Sequence, residues 1–332
     1  MIRIPDNLNL INMVLTHATQ ATLDEVLQIN FDLFVASSGF EERATHFFSN
    51  VKFAMPPANK FVLTFSDRAI LKNDRNLSEF SALGFQLIQS FENARNNVAE
   101  ILDKSFKDVK QNKINILVDY SCMTKVWYGT FLKIVEGFQN PTVKSIDIYF
   151  TYTEAAYEDP LESEPNYSAS FLPGFNSLDT PNKEVALIIG LGYEENRALG
   201  LIEFLHLDFE SCYVFKTNNT SNPEFYDVIN TSNNNLLEIL PQDHIFEYPL
   251  NDLGYTDAIL STLVNHLISE NKRVIIAPIG PKPFSLLALL LAVKNPSISI
   301  YRITQLPKEK PSVRYPDKRK APIICKAVFE NR

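Results

Sequence analysis

Leu187-Ile-Ile-Gly190-Leu-Gly192-Tyr193-Glu194-Glu195-Asn196-Arg197-Ala198 restates, at an offset of 153 residues, the stretch Phe34-Val-Ala-Ser37-Ser38-Gly39-Phe40-Glu41-Glu42-Arg43-Ala44. In both, a short apolar run ends at Gly, an aromatic residue and two Glu, and Arg-Ala follows, one residue later in the second copy. The segments on either side keep the same order. Residues 61–65 match 212–215, 93–102 match 251–260, 114–118 match 274–277, and 145–149 match 297–301. A repeat of this length marks two copies of one supersecondary plan, with small loop insertions between them.

Each copy reads as strand, helix, strand, helix, strand, helix, strand. Short continuous apolar strands alternating with amphipathic helices imply a parallel sheet covered on both faces, and right-handed crossovers lead to a doubly wound arrangement. The expected fold is therefore α/β, with two tandem Rossmann-like domains from an internal duplication, each carrying a mainly parallel sheet. The expected boundaries are a lead-in at 1–30, a first domain at 31–170, a linker at 171–182 and a second domain at 183–332.

Composition bounds the function classes. The 332 residues hold 31 Lys plus Arg against 39 Asp plus Glu, a net charge of −8, with 45% hydrophobic and 21% charged residues. That is globular composition with ample material for a core. Disordered, collagenous and disulfide-scaffold classes are excluded, and the acidic balance argues against wholesale coating of nucleic acid. Cys122, Cys212 and Cys325 are widely separated, and His17, His46, His206, His244 and His266 lack ligand spacing. Neither a metal site nor a cofactor is expected. The apolar run at 284–293 is about half of what a bilayer span requires, and the first 30 residues lack a signal-peptide layout, so a cytoplasmic protein without membrane contact is expected.

In parallel sheets, ligands sit beyond the carboxyl ends of the strands. Two loops per copy lie there. The first carries Ser37, Ser38, Gly39 and Arg43 in one copy, and Gly190, Gly192 and Arg197 in the other. Neither satisfies the dinucleotide fingerprint, because its third glycine falls at Glu42 or Glu195, and no P-loop is present. The adjacent acids, Glu41, Glu42, Glu194 and Glu195, are expected in the first helical turn, where the dipole favours them. The second loop carries Asp119, Ser121, Cys122, Thr124 and Lys125 in the first copy, and Gly280, Lys282 and Ser285 in the second. Hydroxyls and lysines at that edge suit a phosphate. Cys122 and Trp127 read as core residues. Beyond the last repeat strand, Glu154, Glu158, Asp159, Glu162 and Glu164 form an acidic arm. Its counterpart holds Lys308, Lys310, Arg314, Lys318, Arg319 and Lys320. The two arms are expected to attract each other; a nucleic-acid contact through the basic arm is the alternative.

On Ser37-Ser38-Gly39 with Arg43, Gly190-Leu191-Gly192 with Arg197, and the loops at Asp119–Lys125 and Gly280–Ser285, the chain resembles in layout the CARF and SAVED sensor domains of prokaryotic antiviral systems. The resemblance implies a nucleotide-like ligand held between the two halves and a separately encoded effector protein. Three functions follow as expectations. The first is a regulatory sensor whose ligand contacts are Ser37, Ser38, Gly39, Arg43, Ser121, Thr124, Gly190, Gly192, Arg197, Gly280, Lys282 and Ser285. The second is a hydrolase of a nucleotide or N-glycosidic bond, using Glu41, Glu42 and Asp119 as acid and base groups with Lys125 as electrostatic stabiliser. The third is a scaffold subunit of a larger complex.

Overall fold

Apolar runs without alternation become strands buried on both faces, and the first copy shows this in β2 (Leu33–Ser38), whose six residues are all buried. The computed structural model describes residues 12–65, 74–90, 95–159, 166–177, 182–220, 223–305 and 313–331. The chain opens with β1 (Met13–Ala21) and the short α1 (Leu23–Leu27), which starts on a Thr22–Glu25 capping box. After β2 come α2 (His46–Asn50), β3 (Asn59–Phe65), α3 (Asp74–Ala82), β4 (Gln86–Ser90), α4 (Arg95–Phe106), β5 (Lys113–Asp119), α5 (Lys125–Glu136) and β6 (Ser145–Tyr152). A strand β7 (Asn166–Phe171) leads into the second half. There follow β8 (Val185–Gly190), α6 (Arg197–Phe204), β9 (Cys212–Thr217), α7 (Pro223–Ser232), α8 (Asn234–Ile239), β10 (Ile245–Tyr248), α9 (Leu253–Ser269), β11 (Arg273–Pro278), α10 (Lys282–Lys294), β12 (Ser299–Gln305) and β13 (Ile323–Asn331).

Two mainly parallel sheets result. The first has seven strands in the order β1-β13-β6-β5-β2-β3-β4, and the second has six in the order β10-β9-β8-β11-β12-β7. Numbered within each half, the parallel strands of both sheets run 3-2-1-4-5, so the two halves share one topology. Third strands β4 and β10 are absent from the plan read along the sequence. Both are edge strands with exposed polar positions, and β4 (Gln-Leu-Ile-Gln-Ser) buries only its last residue, so no apolar run announces them.

The sheets do not respect the division expected near residues 171–182. Strand β7, written with the first half, pairs antiparallel with β12 of the second sheet. Strand β13, the last in the chain, pairs antiparallel with β6 of the first along Ile323–Glu330, and β1 from the expected lead-in closes that edge. Each half therefore lends a strand to the other. Within the expected linker, Leu172 and Phe175 are buried and their backbones bond Ile300, while residues 178–181 lie outside the described residues. Residues 1–11 of the lead-in also lie outside them.

Helices fill both faces of each sheet. α1, α2 and α3 cover the outer face of the first sheet, around Val26, Phe34, Phe47 and Phe80; α6, α7 and α8 cover the outer face of the second, around Leu201, Ile229 and Leu236. Between the sheets lie α4, α5, α9 and α10 in one continuous core. Residues 283–293 of α10 are all buried. A helix apolar all round requires apolar neighbours all round, and a place between two sheets supplies them. Among the described residues no helix is long and apolar enough to cross a membrane.

Candidate functional site

In a 3-2-1-4-5 sheet the crossovers diverge between the first and fourth strands, here β2 and β5 in one sheet and β8 and β11 in the other. The two divergence points face each other across the seam between the halves, and a pair of lysines shows how closely they approach. Lys125, first residue of α5, donates its ammonium to the carbonyl of Pro278. Lys282, first residue of α10, donates to the carbonyls of Ser121 at 2.5 Å, Met123 at 2.8 Å and Tyr120 at 3.3 Å. Ser121 and Pro278 each precede the corresponding lysine by four residues, so the exchange is reciprocal. Burial lowers both ammonium groups to about 8.

The expected site residues sort into distinct roles. Glu41 and Glu194 are not first-turn residues of α-helices: Glu41 precedes a single 3₁₀ turn and makes no cap, and Glu194 precedes α6 by three residues. Each instead pairs with the arginine of its own motif, Glu41 with buried Arg43 and Glu194 with Arg197 at 3.1 Å. Arg43 also donates to the Thr153 carbonyl at 3.0 Å. Glu42 meets Arg75 on the surface at 3.4 Å. Asp119 accepts from the Ser121 N–H at 3.0 Å and hydroxyl at 2.5 Å, and that hydroxyl accepts from the Thr153 N–H at 2.9 Å. Burial raises the Asp119 carboxyl to about 6, while Ser121, Arg43 and Lys282 hold it from going higher. Thr124 caps α5 through the Trp127 N–H.

Ser37 and Ser38 are buried within β2, with hydroxyls that find no partner among the described residues. Gly39 and Gly192 occupy equivalent places, each offering its carbonyl to a buried asparagine amide, Asn76 at 2.8 Å and Asn233 at 2.9 Å. Gly190 and Gly280 serve packing: a Cβ would come within 2.4 Å of the Phe284 ring at Gly190 and 2.1 Å of the Leu191 carbonyl at Gly280. Ser285 is buried against the Pro278 and Pro281 carbonyls. Burial pushes the Cys122 thiol up to about 12, so it is inert at neutral pH. Trp127 stacks on Phe65 inside the core at 4.4 Å.

Beside the lysine exchange lies a cavity of about 200 Å³, walled by both halves. Arg43, Tyr152, Glu154 and Ala155 come from the first, and Gly192, Tyr193, Glu194, Thr217, Phe225, Gly280 and Lys282 from the second. One wall is aromatic, with Tyr193 near-parallel to Phe225 at 6.1 Å and Tyr157 edge-on to Phe225 at 5.1 Å. Arg314, of the basic arm, lines the same space with its guanidinium 5.1 Å from the Tyr193 ring. An apolar and aromatic hollow with a few convergent charges is the general form of a small-molecule site. Of the expected contacts, Arg43, Gly192, Gly280 and Lys282 meet at this cavity; Ser37, Ser38, Gly39, Glu41, Glu42, Asp119, Ser121, Thr124, Lys125, Gly190, Arg197 and Ser285 do not line it. Tyr152, Glu154, Tyr193, Phe225 and Arg314 line it and were not among the expected ligand contacts. The aromatic place of the repeated motif pointed to Tyr193, and the charged arms pointed to Glu154 and Arg314; nothing in the sequence pointed to Phe225.

The arms themselves meet. Ala155 and Pro316 form an antiparallel bridge, Ala156 N–H donates to the Tyr315 carbonyl at 2.9 Å, and Lys320 pairs with buried Glu154 at 2.7 Å. Lys308, Lys310, Glu162 and Glu164 lie outside the described residues. Among the described residues, no group of His, Cys, Asp and Glu is arranged to hold a metal ion. No protein-family model, no curated protein and no solved structure matches this chain.

Proposed function

We propose that this protein binds a nucleotide-like, phosphate-bearing small molecule in the cavity between its halves and acts through that binding as a regulatory or sensor protein. One observation carries the reading: the cavity lies where the two sheets' divergence points face each other, and it combines an aromatic wall, Tyr193 and Phe225, with the cations Arg43, Lys282 and Arg314. A flat ring gains area and quadrupole contact against such a wall, and an anion gains charge-assisted bonds from the Arg314 guanidinium and the favourable field of the two buried cations beside it. The sensor part of the proposal rests on layout, because the paired Rossmann-like halves resemble CARF and SAVED domains. Under that resemblance the partner is a separately encoded effector and the setting is prokaryotic antiviral defence.

The hydrolase reading has less support. Its carboxylates are engaged elsewhere, Glu41 with Arg43, Glu42 with Arg75 and Asp119 with Ser121, and none of the three lines the cavity. Mass spectrometry of small molecules released from the purified protein, with a thermal-shift screen of nucleotides, tests the proposal. A retained nucleotide, or a rise in Tm that Tyr193→Ala abolishes, is the expected result. Absence of both refutes it.

A further inference from the structure

The C-terminal arm does more than meet its acidic counterpart. Residues 313–320 cross back from the second half, and two of the residues that hold them, Glu154 and Ala155, are also cavity wall. Glu154 takes the Asp317 N–H on its backbone carbonyl at 2.9 Å and the Lys320 ammonium on its side chain at 2.7 Å, and Ala155 forms the bridge to Pro316. Both Glu154 and Ala155 line the cavity. Two residues before the bridge, Arg314 lies over Tyr193.

The other two cations of the cavity are already committed. Lys282 has three N–H donors and three carbonyl acceptors. Arg43 is buried, and Glu41 answers its charge. Arg314 is half-buried and pairs with no carboxylate among the described residues. A guanidinium held over a ring by cation–π attraction spends none of its N–H donors on a carboxylate and can offer them to an anion. The two acids that line the cavity are each paired with a cation, Glu154 with Lys320 at 2.7 Å and Glu194 with Arg197 at 3.1 Å, which reduces the repulsion an incoming anion would otherwise meet.

We infer that Arg314 is the residue that selects a phosphorylated ligand, and that the Glu154–Lys320 latch positions it by fixing the strap. This inference rests on the cavity being a ligand site. The ligand class it implies is a mononucleotide, with its base against Tyr193 and Phe225 and its phosphate at Arg314. Recognition is thus divided between the halves: the ring is read by the second half, and the phosphate by a strap that the first half holds.

The test is calorimetric titration with the four common 5′-nucleoside monophosphates and the four matching nucleosides, on the full chain and on two variants. The expected result is that Arg314→Gln weakens the best nucleotide by about 10-fold or more, the size of one charge-assisted contact, and changes the nucleoside by less than about 2-fold. Lys320→Met, which removes the latch and leaves Arg314 intact, shows the same selectivity loss at about 3-fold or more, with the apo Tm reporting that the fold is retained. An unchanged nucleotide-to-nucleoside ratio in Arg314→Gln overturns the role of Arg314 while leaving the cavity reading intact. A Lys320→Met protein that keeps the wild-type ratio overturns the latch. If no probe binds the unaltered chain, the cavity reading falls and this inference falls with it.

Discussion

Asp119 is buried at the end of β5 with a carboxyl raised from 3.8 to about 6, chiefly because the charged form loses its water. Since the folded value lies above the unfolded one, the folded state binds more protons between those limits. Stability is fully present below about pH 4 and falls as pH rises through about 6. At about 1.4 kcal/mol for each tenfold change in proton affinity, the loss is of the order of 3 kcal/mol. Asp119→Asn keeps an acceptor for Ser121 and removes the charge, so its urea midpoint should decline less between pH 4 and 6 than the unaltered protein's. A parallel decline in both proteins would show that Asp119 is not the titrating group. The sequence placed this Asp correctly at a strand end among polar neighbours. It did not say which neighbour takes the carboxylate, because Lys125, four residues past Ser121, spends its ammonium on the other half.

At the scale of elements, the glycines divide by what surrounds them. At Gly280 a Cβ would press on the backbone carbonyl of Leu191 at 2.1 Å, and backbone cannot step aside without breaking the β8–β11 contact. Gly280→Ala should cost about 3 kcal/mol or more in urea unfolding, the upper range for overpacking. At Gly192 the nearest atom is the end of the Glu194 side chain at 2.5 Å, which can rotate away, so Gly192→Ala should cost less than about 1 kcal/mol. Equal costs would mean that the two loops are equally rigid. Strands with dominant apolar runs, β2, β5, β8 and β11, were readable because burial on both faces leaves largely one residue class to choose from. Edge strands β4 and β10 escaped because one side faces solvent, and Glu41, Glu194 and Glu195 fall short of a first helical turn because loops precede the 3₁₀ turn at 42–44, which does take Glu42, and α6.

At the scale of the whole molecule, strand exchange and the shared helical layer make the halves interdependent. Removing either half would strip a strand from the other's sheet and one side from α10. Urea unfolding followed by far-UV circular dichroism and by the single Trp127 in the first half should therefore give one coincident transition. Two separated transitions would show that the halves fold as independent domains. Lys282→Met, which takes the ammonium donor from three carbonyls at the seam, should lower the stability read from that single transition by about 2 kcal/mol, and Lys125→Met, which takes it from one, by less.

The repeat, the alternation of apolar strands with helices, and the strand ends as the place for polar residues were determined by the sequence itself. Each depends on local periodicity, and local periodicity is written residue by residue. The exchange of β7 and β13, the reciprocal lysines and the composition of the cavity were decided only by tertiary structure. Tyr152, Tyr193, Phe225 and Arg314 are separated by dozens of residues along most of the chain, and they share one space only because two sheets pack across a common layer of helices. No period links them, so packing alone brings them together.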